Sequence, residues 1–179
     1  AGWQGVGDGR WESDGTVATG YSGEEVATFL VTEKAYKNFY LQLKFRIEPN
    51  NNSGVFIRRP PEAGEVTLDN SLEINVYDPE DPLFTWSTGA VARNARAYSG
   101  LVDYDDWNLL EIYAFNDQVS VLVNGFKSSH AHVPEEFVRA GNICLQVGRQ
   151  VATTEKGASK VQYKDLYIKD MEGIPFLGF

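Results

Sequence analysis

One short segment carries the side chains best suited to chemistry, the run Glu73-Ile74-Asn75-Val76-Tyr77-Asp78. Apolar residues alternate with polar ones here, which is typical of a β-strand, because side chains two apart on a strand point the same way. Glu73, Asn75 and Tyr77 therefore share one face, with successive members about 7 Å apart. A carboxylate that can act as acid or base, beside groups that can hold a sugar, favours carbohydrate chemistry.

Other side chains could complete such a site. Asp78 could be a second acid or base, or it could only form the turn that follows the strand. Arg58 ends an alternating strand and could pair with Glu73 or hold an oxyanion. The ring of Trp86 could stack on a sugar, and Arg93 is a weaker candidate for binding substrate. Structural or solvent-exposed roles are the alternative reading for all four.

Metal ligands are less well defined by the sequence. His130 and His132 lie two apart, but the segment is expected to be a loop, and two imidazoles alone do not make a site. The acidic residues around Asp78 and within 103–106 could hold calcium, or they could be solvated loops. A divalent cation such as calcium is therefore an open cofactor without assigned ligands.

The composition limits the functional classes. The chain has 179 residues, of which 42% are hydrophobic and 23% charged, as in globular proteins. Its net charge of -9 argues against a nucleic-acid partner, because few groups would neutralise phosphates. No apolar run approaches the roughly 20 residues that a membrane-spanning helix needs. A carbohydrate is the partner that the candidate site favours.

The hydrophobic pattern predicts strands along nearly the whole chain. Residues 39–48 alternate strictly, as a half-buried antiparallel strand does, and residues 116–118 separate two further strands as a hairpin turn would. Only residues 134–139 suggest a helical turn. Ten to twelve strands with turns between them predict an all-β, two-sheet antiparallel sandwich. We expect one domain over residues 1–179, with 173–179 as an apolar tail that could mediate self-association.

Nine short motifs follow one another in an order that resembles the 3-keto-disaccharide hydrolase domain family. The resemblance runs from about residue 11 to 169. The motifs include Trp11-Glu12-Ser13-Asp14-Gly15, Asn52-Ser53-Gly54-Val55-Phe56-Ile57-Arg58, Leu72-Glu73-Ile74-Asn75-Val76-Tyr77-Asp78, Gly141-Asn142-Ile143-Cys144-Leu145-Gln146 and Val161-Gln162-Tyr163-Lys164-Asp165-Leu166.

The resemblance implies a concanavalin A-like jelly roll whose concave sheet carries the site. It implies a bacterial, secreted or periplasmic enzyme that cleaves glycosides bearing a ketone at C3, by hydrolysis or elimination. Two positions depart from the family pattern: Asn75 replaces a Gln, and Leu145-Gln146 is not followed by a His. A looser similarity links E-x-N-x-x-D at 73–78 to the catalytic strand of laminarinase-type hydrolases. A non-catalytic carbohydrate-binding module and a laminin G-like interaction module are the alternatives.

Overall fold

A computed structural model of the chain describes residues 2–49, 51–77, 86–98, 100–148 and 159–174. Asp78, most of the polar segment 149–160 and most of the expected tail 173–179 lie outside the described residues. Within these ranges, no helix is long and apolar enough to cross a membrane.

The described residues form twelve β-strands in two antiparallel sheets. The first sheet has the order β1-β4-β11-β6-β7, and the second has the order β10-β9-β8-β5-β12-β3-β2. The strands are Trp3–Val6 (β1), Arg10–Ser13 (β2), Val17–Tyr21 (β3), Thr28–Thr32 (β4), Phe39–Ile47 (β5), Ser53–Arg59 (β6), Leu72–Val76 (β7), Asn108–Phe115 (β8), Gln118–Val123 (β9), Phe126–His132 (β10), Asn142–Val147 (β11) and Lys160–Asp170 (β12). A 3-10 helix covers Glu135–Phe137. The predicted two-sheet antiparallel sandwich is confirmed.

The alternation of apolar and polar residues along each strand explains how the two sheets pack. On β5, Phe39, Leu41, Leu43 and Phe45 are fully buried between the sheets, while the residues between them face outward. Each such side chain contributes about 1.5–3 kcal/mol when it leaves water. The opposing sheet supplies Val55, Ile57, Ile74 and Leu145 among others to the same cluster. The strict hydrophobic period of two therefore fixes which face of each strand meets the core.

Three strands of the five-stranded sheet, β6, β7 and β11, are buried on both faces. The outer face of this sheet carries a second apolar cluster of Phe29, Val31, Phe56 and Cys144, against which Val66 and Leu68 of the 60–71 loop pack. Burial raises the pKa of the Cys144 thiol to about 12, which agrees with a packing role for this side chain. Strands β6, β7 and β11 consequently have no solvent-facing side, and their polar residues lie in a largely dry environment.

The prediction that His130 and His132 lie in a loop is wrong. Both belong to β10, an edge strand that pairs with β9 through a bulge between Lys127 and Ser129. The sequence of β10 is mostly polar, so hydrophobic alternation gives no signal there, and its backbone hydrogen bonds to β9 define the strand instead.

Candidate functional site

Glu73 is a buried carboxylate on the outer face of the five-stranded sheet. Glu73 pairs with Phe56 of β6. Because its neighbours Leu72 and Ile74 face the core, the Glu73 side chain points away from the core. Glu73 is only 6% exposed, and the described residues place no cation beside it. Burial alone raises its pKa to about 7. A carboxyl group with that pKa can take up and release a proton near neutral pH.

Gly54 makes room for the Glu73 carboxylate. A Cβ atom at Gly54 would lie 2.8 Å from Oε1 of Glu73 and 3.2 Å from its Cγ, closer than side chains normally approach. Gly54 lies between Asn75 of β7 and Gln146 of β11 in the sheet register. The bare backbone at this position therefore lets the carboxylate fold over β6 toward β11.

The side chain of Gln146 also reaches the space above Gly54. The sequence alone does not indicate this residue as part of the site. Its Oε1 lies 3.3 Å from the same point above Gly54, is buried, and has no hydrogen-bond partner. Asn52, directly before β6, holds a second buried and unpartnered oxygen, Oδ1. Buried polar atoms are normally paired, so the unpartnered Oε1 of Gln146 beside the Glu73 carboxylate indicates capacity for a ligand. The sequence signal for this residue is a single Gln within the otherwise apolar strand Ile143 to Val147, because burying a polar side chain is costly.

Asn75 serves the architecture of the site. Its Nδ2 donates a hydrogen bond to the carbonyl of Trp86. Its backbone N–H donates to Ala90 at 2.9 Å and its carbonyl accepts from Gly89 at 2.8 Å. The carbonyl of Glu73 accepts from Ala92 at 2.9 Å. The segment around 86–92 thus covers the outer edge of β7 and fixes the backbone that carries Glu73. These contacts give Asn75 a structural role.

Three further candidates lie around the edge of the site. Tyr77 follows β7, is half-buried, and donates its backbone N–H to Oγ1 of Thr88 at 3.0 Å. The Trp86 side chain is 36% exposed, which leaves part of its surface open for contact. Arg93 has a left-handed backbone, with φ at 65°, and pairs with Asp69 at 2.7 Å in an exposed ion pair. Arg93 therefore ties the segment next to β7 to the 60–71 loop.

Arg58 does not face Glu73, and the expectation that the two pair is wrong. Its backbone has a φ of 60° at a bulge in the pairing of β6 with β11, which disturbs the regular alternation. The side chain is fully buried, and its guanidinium donates to the carbonyls of Lys37 and Phe137. Burial lowers its pKa to about 10, so it stays a cation near neutral pH. Its partners give it a structural role at one end of the sandwich.

No group of three or more His, Cys, Asp or Glu side chains converges within the described ranges. His130 and His132 lie on one face of β10 with ring centroids 5.5 Å apart, but their Nδ1 atoms bond Ser120 and Asp117 respectively. Bound calcium remains a prediction. The side-chain oxygen atoms of Glu73 and Gln146 are of the type that such a hard cation prefers.

Two surface cavities lined by described residues lie away from Glu73. One of about 670 Å³ borders the edge strand β10 and is lined by Arg96, Tyr98 and Lys127 among others. A second, of about 480 Å³, lies between Trp3 and Trp11 where the two sheets diverge. The Glu73 site is thus identified by its buried polar groups and their geometry.

The fold and this site define a class, the concanavalin A-like jelly rolls. A proposed glycosyl hydrolase from Parabacteroides distasonis superimposes with a TM-score of 0.73 at 21% identity, covering 89% of each chain. A second from the same organism gives 0.72 at 22% identity, covering 94% of this chain and 88% of that one. The carbohydrate-binding module CBM66 from Bacillus subtilis gives 0.65 at 13% identity, covering 94% and 96%.

The chain belongs to the 3-keto-alpha-glucoside-1,2-lyase-like domain family, whose model matches residues 1–169. The expected family is therefore confirmed. No curated protein matches the chain at a significant level.

Proposed function

We propose that this protein cleaves the glycosidic bond of 3-keto-glycosides by elimination, with Glu73 as the general base. The observation that carries the proposal is the buried Glu73 carboxyl, whose pKa of about 7 suits proton transfer near neutral pH. Membership of a 3-keto-alpha-glucoside-1,2-lyase-like family supports the substrate class and the bond. An exported bacterial enzyme, which the family resemblance implies, is part of the same proposal.

The ketone at C3 explains why a single well-placed base suffices to start the reaction. It makes the C2 proton acidic, because the electron pair left at C2 spreads onto the C3 oxygen as an enolate. When the ketone re-forms, a C1=C2 double bond forms and the C1–O bond breaks. The leaving oxygen takes the electron pair and then a proton. Water can add back across C1=C2, placing a hydroxyl on C1 and a proton on C2.

The residues around Glu73 fit these steps. A desolvated carboxylate is a stronger base than one in water, and the burial of Glu73 supplies that desolvation. The unpartnered Oε1 of Gln146 can accept a hydrogen bond from a sugar hydroxyl beside the reacting carbon. After the first proton transfer, the protonated Glu73 can give its proton to the leaving oxygen. The ring of Trp86 offers a partly exposed surface for the sugar or its aglycone.

A non-catalytic carbohydrate-binding module is the second candidate. It is favoured by the presence of only one carboxylate, Glu73, among the site residues that the structure describes, whereas a retaining glycosidase needs two carboxyls about 5–5.5 Å apart. This observation weighs against a double-displacement mechanism such as that of laminarinase-type enzymes. It does not weigh against elimination, which requires one base.

The proposal is tested with a 3-keto-glucoside that carries a nitrophenol leaving group. Release of nitrophenol from the keto substrate, and none from the unoxidised glucoside, is the expected result. A parallel sample with a chelator tests for a divalent cation, whose loss would abolish release if it were needed. Saturable binding of both sugars without release from either would overturn the proposal in favour of the binding module.

A further inference from the structure

A regular grid of six side chains covers the middle of the seven-stranded sheet on its outer face. In the register of β8, β5 and β12, Tyr40 lies between Tyr113 and Lys169. In the neighbouring row of outward-facing residues, Gln42 lies between Glu111 and Tyr167. The core-facing neighbours of these residues, such as Leu41 and Ile112, are fully buried, so the grid side chains must point away from the core.

The three tyrosine rings form a continuous aromatic surface. The centroids of Tyr40 and Tyr113 are 4.6 Å apart with planes tilted by 36°, and those of Tyr40 and Tyr167 are 6.4 Å apart. Tyr40 and Tyr113 are half-buried, and Tyr167 is 54% exposed. We call Tyr40, Tyr113 and Tyr167 the tyrosine platform. Aromatic rings at such spacings on a rigid sheet present a broad, weakly polar surface.

A β-bulge gives Tyr167 its place in the platform. The pairing of β12 with β5 shifts between Lys164 and Tyr167, and Asp165 has a φ of 51° there. Bulges of this kind re-aim the side chains that follow them. The chain therefore departs from regular strand geometry at the point where the third ring joins the other two.

Hydrogen-bonding groups lie among the rings. The Tyr40 hydroxyl lies 2.7 Å from Oε1 of Glu111 and 2.9 Å from Oε1 of Gln42. Burial and the neighbouring Glu111 carboxylate raise the pKa of Tyr40, so its phenol keeps its proton and holds these oxygens in place. Carboxylate and amide groups retain further acceptor and donor capacity at the surface. Aromatic faces that alternate with fixed polar groups match a pyranose, which has apolar C–H faces and an equatorial belt of hydroxyls.

We infer that the tyrosine platform is a second carbohydrate-binding surface, which takes a neutral glycan chain across β8, β5 and β12. It lies on the opposite side of the sandwich from Glu73, so its occupancy does not require cleavage, and the inference does not rest on the proposed function. A glycan is favoured over a second copy of this protein because polar groups are interleaved with the rings, whereas stable homodimer interfaces are more uniformly apolar. The surface would hold the protein on a polymer while the Glu73 site meets substrate.

The inference is tested by affinity electrophoresis of the full chain in gels that contain laminarin, xylan or hydroxyethyl cellulose. Alginate, which is acidic, serves as the charged comparison. Retardation by at least one neutral glycan is expected, with binding weakened about tenfold in Tyr167→Ala and in Tyr113→Ala. Tyr98→Ala removes a ring outside the grid that is more exposed than that of Tyr167, at 71% against 54%, and should bind normally. Thermal unfolding of each variant verifies that it is folded.

Two further measurements separate the explanations. Glu73→Gln should bind the glycan normally, because it alters only the opposite face. Absence of binding by the wild type to every neutral glycan would overturn the inference. So would binding that Tyr167→Ala and Tyr113→Ala leave unchanged. A dimer in analytical ultracentrifugation that Tyr167→Ala dissociates, without any glycan binding, would assign the platform to self-association instead.

Discussion

The side-chain oxygens Oε1 of Glu73 and Oε1 of Gln146 flank one bare backbone position. Both lie within 3.3 Å of the point that a Cβ atom of Gly54 would occupy. The two residues come from strands β7 and β11, which are separated in the sheet by β6, and their side chains meet above this glycine. Because one oxygen belongs to a group of raised pKa and the other is unpartnered, the pair forms the centre of the candidate site.

A methyl group at position 54 should therefore impair the site and spare the fold. Gly54→Ala places its Cβ against the far end of the Glu73 side chain, which can move, so the variant should fold. The displaced carboxylate should lower kcat/KM for a 3-keto-glucoside by about tenfold or more, because proton transfer depends on a reach of about 3 Å. Gly64→Ala is the matched control, since nothing lies within 4 Å of its Cβ. Equal activity of the two variants would show that Glu73 has no fixed catalytic position.

The Glu73 carboxyl should also lower the stability of the folded protein as the pH rises from acidic to alkaline values. Its pKa rises from 4.5 in the unfolded chain to about 7 in the folded one, so the folded state binds more protons between these values. Stability consequently falls as pH rises through this window, by an amount on the order of 3 kcal/mol. Glu73→Gln should be more stable than wild type near pH 8 and similar to it near pH 4.5 when unfolded with urea. The exposed substitution Glu62→Gln should show no such trend, and a parallel trend would refute the assignment.

Gln146 should contribute more to activity than to stability. A buried acceptor without a partner, such as Oε1 of Gln146, costs about 1–3 kcal/mol, so Gln146→Met should unfold at equal or higher denaturant concentration than wild type. If the amide holds a sugar hydroxyl, KM for the keto substrate should rise severalfold. Gln162→Met on β12, whose amide reaches Thr19, should leave KM unchanged. A marked loss of stability in Gln146→Met would indicate that the amide is satisfied within the fold.

Arg58 should behave as a structural residue. Arg58→Met leaves two carbonyls, those of Lys37 and Phe137, without their donor and should destabilise the protein by about 3 kcal/mol. The folded fraction should keep the wild-type kcat, measured well below the melting temperature. A variant of normal stability with a large loss of kcat would instead restore Arg58 to the catalytic group that the sequence suggested.

The sequence predicts the sandwich well because a hydrophobic period of two is a direct signal of which strand faces meet the core. Strand β5 shows this at every position. The same hydrophobic signal is absent from β10, a polar edge strand that is defined by its backbone pairing with β9. The signal also fails at Arg58, where a bulge breaks the alternation. Glu73 was found because it belongs to an alternating strand. Gln146 was missed because only the three-dimensional register places it opposite Gly54, beside a carboxylate from another strand.

The central claim is that Glu73 removes the C2 proton of a 3-keto-glycoside. Cleavage of a 3-keto-glucoside in D₂O tests it directly, with the product examined by NMR at early times and a sample of the free keto sugar incubated alone as the control. For wild-type protein and for Glu62→Gln the account predicts a product without protium at C2, because the C1=C2 elimination product has no hydrogen there and its hydrated form takes deuterium from the solvent. For Glu73→Gln the account predicts cleavage about 10²–10⁴-fold slower. Rapid cleavage that leaves protium at C2, or undiminished cleavage by Glu73→Gln, would contradict it.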